Sequence, residues 1–154
     1  MNNILPPPLF NSSTTTPLTP AQSYYSNLAI SGLAKIGATI LSNYVVLRLR
    51  GNSLAAINYA KLDIACFAAL TLIDTAEKIR QYVNGQSEPN GIGSEARSYA
   101  IIGMVLLEKA LGILPNLGLV CVDLGMYVIN ILVLEKALND IYDCALKAMG
   151  FSRH

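Results

Sequence analysis

The sequence predicts an all-α protein in which about four helices pack as two helical hairpins behind a disordered N-terminal tail. Polar residues recur within long apolar runs at helical rather than strand spacing, and 53% of the 154 residues are hydrophobic. Short segments rich in Gly, Pro and Asn separate these runs, as is typical of turns and loops. We therefore expect one domain besides the tail, a helical bundle over 21–150 with hairpins at 21–83 and 94–149.

The first unit, residues 1–20, is expected to form a disordered or polyproline-like tail. It contains five prolines and six Ser or Thr residues, and its apolar residues form no periodic face. A segment of this composition buries too little apolar surface to offset the entropy lost on ordering.

The first helix is expected to begin at Thr19 and to run to about Leu49. Thr19 is a suitable N-cap, Pro20 occupies the first helical position, and Gln22 completes a capping box. Two arginines in the last turn and the following Gly51 are typical of a helix C-terminus. The polar positions of this helix form a narrow stripe at helical spacing, comprising Ser31, Lys35, Thr39, Ser42 and Asn43.

The second helix is expected to be capped by Asn52 or Ser53 and to run to about Tyr82. Its apolar run, 54–73, contains two charged residues, and the sequence becomes strongly polar after it. Small residues four positions apart within this run would allow a neighbouring helix to approach closely.

The loop at 84–94 is indicated by its Gly, Pro and Asn content. Ser94 is expected to cap a third helix over 95–114, and a fourth helix is expected over 116–149. Pro115 and the Asn after it interrupt the pattern between them. We favour a tight turn at this point because Pro-Asn-x-Gly is strong turn chemistry, with one kinked helix as the alternative.

The apolar runs raise the question of whether the helices enter a membrane. Crossing the hydrocarbon core of a bilayer takes about 20 residues. Asp123 is the single charge within 110–134. Its unfavourable insertion free energy of about 2.5–3.5 kcal/mol nearly balances the favourable insertion free energy of the surrounding apolar residues. Four runs are candidates for membrane association: 28–47, 54–73, 98–114 and 117–134.

The same charges also allow a soluble bundle, because they recur where a narrow solvated stripe would place them. Most of each helix surface would then be apolar, so a soluble bundle would have to self-associate. In the membrane interpretation Asp123 and Lys109 are functional charges in or beside the lipid, whereas in the soluble one they are surface positions. The stripe consists of Lys35, Lys61, Asp63, Glu108, Lys109 and Asp123.

No residue pattern predicts a catalytic, cofactor-binding or metal-binding site, so we expect a non-enzymatic protein. The single histidine is His154, which excludes the usual His-based catalytic and metal sites. The cysteines, Cys66, Cys121 and Cys144, are too far apart for zinc-ligand spacing and are expected to be small hydrophobic residues.

The charged residues bear on two further function classes, nucleic-acid binding and carboxylate chemistry. A net charge of +1 provides no basic surface for nucleic acid. A carboxylate-based enzyme or ion pathway would use one or more of four aspartates, but no Glu-x-x-His motif of a metal-binding bundle is present. The aspartates are Asp63, Asp74, Asp123 and Asp140.

The expected partners are a lipid membrane or a second copy of the chain, with a protein partner at the charged helix ends as a further option. Two pairs on the fourth helix, Lys136 with Asp140 and Asp143 with Lys147, have the spacing of ordinary helix-stabilising ion pairs. The other charged end follows the second apolar run and contains Asp74, Glu77, Lys78 and Arg80.

The first 34 residues carry no charge and are rich in Asn, Ser, Thr and Pro, and two apolar helices, 28–47 and 54–73, follow across a short turn. In these features residues 1–73 resemble the type III-secreted inclusion-membrane proteins of chlamydiae. The resemblance implies export into a host-derived membrane and recruitment of host proteins through exposed segments. The chain departs from the pattern where Lys61 and Asp63 interrupt the second apolar helix and where a further apolar pair follows. The expected location is thus a membrane, with the cytoplasm as the alternative.

Overall fold

The structure, a computed structural model, describes residues 15–111 and 117–153 and confirms the all-α class. Four helices account for most of the described residues, and the two strands contain two residues each. The elements in chain order are β1 (Thr16–Pro17), α1 (Pro20–Arg50), α2 (Leu54–Val83), α3 (Gly93–Ala110), α4 (Leu117–Ala148) and β2 (Phe151–Ser152).

The ends of α1 and the start of α2 follow the local signals in the sequence. The Gln22 N–H donates to Thr19 Oγ1 at 3.3 Å and the Thr19 N–H donates to Gln22 Oε1 at 3.1 Å, which confirms the capping box. Gly51 ends α1 with a φ of +74°, a conformation that favours glycine. Ser53 caps α2 by accepting the Ala56 N–H at 3.2 Å.

The start of α3 differs from the prediction, and the turn predicted after α3 lies outside the described residues. The helix begins at Gly93, so Ser94 is its second residue and not its cap. The Ser94 carbonyl instead accepts a hydrogen bond from the Ser98 hydroxyl at 2.9 Å. The turn predicted at Pro115 lies outside the described residues.

Part of the N-terminal segment forms regular structure. Residues 1–14 lie outside the described residues, but β1 pairs in parallel with β2 at the other end of the chain. The Thr16 N–H donates to the Gly150 carbonyl at 2.9 Å and the Leu18 N–H donates to the Ser152 carbonyl at 3.0 Å. The prediction of disorder over 1–20 is therefore wrong for Thr16–Pro17, because composition cannot reveal a partner more than 130 residues away.

Helix α1 lies at the centre of the bundle and packs along both α2 and α4. The first predicted hairpin is thus an α1–α2 pair, whereas α3 contacts α2 and α4 lies along α1. Within the described residues the backbones of α3 and α4 do not approach each other closely. Three helices therefore surround a shared interior, and α3 covers one side of α2.

Small side chains allow these helices to approach closely. Alanine supplies four of the nine buried apolar residues in the described part of the chain: Ala34, Ala38, Ala56 and Ala60. Small residues at helix interfaces are typical of close packing in membrane bundles and of tight packing in water. The large aliphatic side chains mostly lie elsewhere.

Candidate functional site

The buried side chains of the described residues include eight that are polar or charged, beside nine that are apolar. The polar stripe of α1 faces α2 and α4, and carboxylates from α2, α3 and α4 are buried with it. Asp63, Glu108 and Asp123 are exposed by 3%, 1% and 6%, so their interpretation as solvated surface positions is wrong. The buried polar residues of the described part are Thr39, Ser42, Asn43, Asp63, Thr71, Asp74, Glu108 and Asp123.

The outer surface is correspondingly apolar. Helices α1 and α2 are long and apolar enough to cross a membrane, yet only 33% and 28% of their apolar windows are buried inside the structure. The core helix of a soluble protein would be mostly buried. Exposed aliphatic side chains occur on all four helices and include Leu33, Ile40, Leu72, Ile102, Leu106, Ile129, Leu132 and Val133.

Three carboxylates from three helices form the interior acidic cluster, defined as Asp63, Glu108 and Asp123. The Asn43 amide of α1 donates to Asp63 Oδ2 at 2.5 Å, and the Tyr59 hydroxyl of α2 donates to Asp123 Oδ2 at 3.2 Å. Glu108 lies close enough to interact electrostatically with both aspartates. The three carboxylates thus share one buried environment, in which their charged forms repel one another.

Among the described side chains, Arg50, the last residue of α1, is the cation near the cluster. Its guanidinium lies 5.7 Å from the centre of the Tyr59 ring and attracts the Asp123 carboxylate. Four buried polar atoms around the cluster have no hydrogen-bond partner: Asn43 Oδ1, Arg50 Nη1, Glu108 Oε1 and Asp123 Oδ1. Buried polar atoms without a partner are costly and are few in native proteins.

A hydrogen bond between side chains also joins α4 to α1 near the cluster. The Asn130 amide donates to Ser42 Oγ at 3.1 Å. Sequence reasoning missed Asn130, although it follows Asp123 by seven residues and therefore lies on the same helix face. That spacing was the available signal for its inward orientation.

A separate ion-pair network lies where α2 becomes polar. Asp74, the first residue after the apolar run 54–73, is 4% exposed and accepts bonds from Arg97 at 2.6 Å, Lys78 at 3.0 Å and the Ile92 N–H at 3.1 Å. Burial alone would raise the pKa of Asp74, but these donors together hold it below its usual value. The network therefore ties the loop and the start of α3 to the end of α2.

Gly91 allows the loop to approach Asp74 closely. Gln81 fixes this residue from both sides, accepting the Gly91 N–H at 3.0 Å and donating to the Gly91 carbonyl at 2.9 Å. Gly91 has a φ of +68°, and a Cβ at this position would collide with the Asp74 carboxylate. The position therefore requires glycine for both conformation and space.

We expect Asp74→Asn to destabilise the protein by about 2 kcal/mol at neutral pH, because Arg97 and Lys78 lose a charged partner. Since the pKa of Asp74 is lowered on folding, its contribution is fully present above the unfolded pKa of about 3.9 and is lost as the pH falls through the lower folded value. Thermal unfolding followed by circular dichroism as a function of pH tests this. Equal acid sensitivity of the variant and the original chain would contradict it.

Tyrosines cluster at the same end of the bundle as Asp74. The Tyr24 and Tyr82 rings stack at 4.1 Å, and the Tyr24 hydroxyl donates to the Lys78 carbonyl at 3.2 Å. Tyr25 packs edge-on against both rings. Tyrosines that join an apolar segment to a polar helix end are typical of the membrane–water interface, and also of ordinary helix ends.

The remaining candidate residues lie apart from the interior acidic cluster. Asp140 is exposed near the end of α4, and Asp143 pairs with Arg153 at 3.4 Å. Within the described residues neither predicted ion pair of α4 forms. The side chain of Lys109 lies outside the described part. The three cysteines are free, and no group of described His, Cys, Asp or Glu side chains is arranged to hold a metal ion.

Comparison with known proteins finds no matching family model, no similar curated protein and no similar solved structure. The resemblance of residues 1–73 to inclusion-membrane proteins therefore stays a prediction from the sequence.

Proposed function

We propose that the protein is a non-enzymatic integral membrane protein whose helices insert with their polar faces together and their apolar faces toward lipid. One observation carries this proposal: buried positions are largely polar or small, while large aliphatic side chains are exposed. In water this distribution is unfavourable both at the outer surface, where apolar side chains are exposed, and in the interior, where carboxylates are desolvated. In a bilayer the apolar surface meets hydrocarbon, and the polar side chains face one another inside the bundle and not the lipid.

The lengths of α1 and α2 support insertion. A helix of 30 residues extends about 45 Å, which exceeds the hydrocarbon thickness of about 30 Å. The polar end of α2, from Asp74 onward, would then lie outside the hydrocarbon. Lys61 is exposed seven residues after the start of α2, about 10 Å along the helix, and its long side chain can extend toward the interface.

The charges at the turn between α1 and α2 favour one orientation. Arg48 and Arg50 lie at the end of α1, and Arg48 donates to the Tyr44 hydroxyl at 2.8 Å. Under the positive-inside rule a short turn with two arginines stays on the side from which insertion begins. The N-terminus of α1 and the Asp74 network would then lie on the opposite side.

Extraction of membranes with alkaline carbonate, followed by flotation of the pellet through a density gradient, tests the proposal on the full chain. We expect the protein to resist extraction and to float with lipid. Release into the supernatant as a defined oligomer would overturn the proposal. It would favour the soluble self-associating module, in which exposed aliphatic faces are buried between copies.

The finer proposal is insertion into a host-derived membrane after type III secretion. It rests on the uncharged residues 1–34 and on the apolar pair 28–47 and 54–73. Expression in a bacterium with a type III system tests it, by comparing the full chain with a variant that lacks residues 1–14. Secretion of the full chain alone would support the proposal, and retention of both inside the bacterium would contradict it.

A further inference from the structure

We propose that Asp63, Glu108 and Asp123 form a proton-binding site inside the bundle, which takes up and releases protons exchanged with water at a polar end of the helices. This inference goes beyond membrane insertion, because it concerns what the polar interior binds. It depends on the burial and juxtaposition of these side chains, whether lipid or another copy of the chain covers the outer surface.

Charge balance is the first argument for a bound proton. The three carboxylates would bring three negative charges into an interior where, among the described side chains, Arg50 is the nearby cation. Buried charges of one sign without full compensation are too costly to persist, so they are neutralised by a proton or a counter-ion. The groups that face the cluster from the helices around it are Arg50 of α1, Tyr59 and Cys66 of α2, and Tyr127 of α4.

The unpartnered oxygen atoms are the second, independent argument. Asn43 is 1% exposed and donates its amide to Asp63, yet its Oδ1 has no partner. Glu108 Oε1 and Asp123 Oδ1 are also buried without a donor. A protonated carboxyl supplies the missing O–H donor, since it donates one hydrogen bond while its other oxygen accepts. One or two protons on the cluster therefore relieve both the charge repulsion and the shortage of donors.

The proton fits this arrangement better than a metal ion does. The described side chains include no group of His, Cys, Asp or Glu arranged to hold a metal. A metal ion would need several oxygen atoms converging at fixed distances, whereas a proton requires one carboxyl and one nearby acceptor. The geometry thus favours the smallest cation.

A cavity lined by Asp74 lies between the polar end of α2 and the acidic cluster's neighbour Tyr127. It has a volume of about 220 Å³, enough for several water molecules at about 30 Å³ each. Phe67, which lines this cavity, follows Asp63 by about one helical turn on α2. The polar residues that line the cavity are Lys35, Thr71, Asp74, Arg97 and Tyr127. Water in the cavity would bring exchangeable protons to within about one turn of the acidic cluster.

Labelling with N,N′-dicyclohexylcarbodiimide tests the proposal on the full chain in neutral phosphatidylcholine vesicles or detergent micelles. This apolar reagent takes the proton of a neutral carboxylic acid on its nitrogen, while the carboxyl oxygen bonds to its central carbon. An ionised carboxylate lacks that proton and does not react in this way. Mass spectrometry of peptides then identifies each labelled carboxyl.

We expect label on Asp63, Glu108 or Asp123 at about pH 6, falling by about tenfold for each pH unit once the site ionises. Glu108→Gln, Asp63→Asn and Asp123→Asn should together remove this label. Glu95→Gln is the matched control on α3, because Glu95 is exposed in the first turn of the same helix as Glu108. It should leave the label unchanged.

A second measurement covers the case in which the cluster variants do not fold. Infrared spectroscopy of the unaltered chain should show the carbonyl band of a protonated carboxyl, and this band should disappear as the pH is raised. Absence of both label and band across the pH range, or label confined to exposed carboxyls, would overturn the proposal. Labelling of a protein that carbonate releases would instead contradict membrane insertion and leave the proton site standing.

Discussion

Ile40→Asp is expected to abolish stable membrane integration of the full chain. Ile40 lies near the middle of the apolar run 28–47 and is 50% exposed on the outer face of α1. A central Asp costs about 2.5–3.5 kcal/mol in insertion free energy, and the lost Ile adds a few tenths. The carbonate-resistant fraction, measured as the ratio of pelleted to released protein, should therefore fall on the order of a hundredfold.

Two matched variants separate this effect from a general loss of stability. Ile40→Ala removes apolar surface without adding charge and should leave most of the protein in the membrane. Leu49→Asp places the same charge at an exposed position next to Arg50, beyond the apolar run, where the cost of a charge is smaller. We expect its effect to be much weaker than that of Ile40→Asp.

The soluble interpretation predicts the opposite result for the same substitution. An exposed position on a soluble helix tolerates Asp within about 0.5 kcal/mol, and the added charge would improve solubility. If Ile40→Asp left the distribution of the protein between membrane and supernatant unchanged, the apolar outer face would not contact lipid. The proposed function would then be wrong.

The boundaries of α1 and the start of α2 could be predicted because the signals that set them are local. Thr19 and Gln22 satisfy each other's backbone N–H groups within one turn, and Ser53 caps α2 through Ala56. Gly51 ends α1 because its positive φ favours glycine. Each of these interactions joins residues at most three positions apart, so the sequence contains the whole cause.

The direction of the polar stripes could not be predicted from the same information. A narrow polar stripe on an apolar helix can face water in a soluble bundle or face its neighbours in a membrane bundle. The partners decide between these cases, and they are distant in sequence. Asp123 bonds to Tyr59 across 64 positions, and Ser42 bonds to Asn130 across 88.

Which helices pack against each other could not be predicted from the sequence either, because the deciding contacts are also distant in sequence. Short loops favour packing between consecutive helices, which describes α1 with α2. Helix α4 instead lies along α1, so its Asn130 meets Ser42 and its Leu134 side chain lies near Gly37. The apolar surfaces of the helices are too alike in composition to specify these contacts, and the buried polar pairs distinguish them.

Ala38→Leu is expected to separate α1 from its neighbours and to lower thermal stability strongly. Ala38 is fully buried on the helix that packs along both α2 and α4. Three additional heavy atoms at a close contact cost about 1–3 kcal/mol, and we expect the upper end because two interfaces must yield. Unfolding in detergent micelles, followed by circular dichroism, measures the loss, and an unchanged midpoint would contradict the central position of α1.

Gly37→Ala is the matched control one residue earlier on the same helix. A Cβ at Gly37 would meet the Leu134 side chain at 3.6 Å, an ordinary van der Waals distance. The substitution also removes the helix-destabilising effect of glycine, which is about 1 kcal/mol. We therefore expect Gly37→Ala to leave the midpoint unchanged or to raise it while Ala38→Leu lowers it. If both variants lowered the unfolding midpoint to a similar extent, α1 would tolerate no added volume at either position. The effect of Ala38→Leu could then not be attributed to the position of Ala38 between α2 and α4.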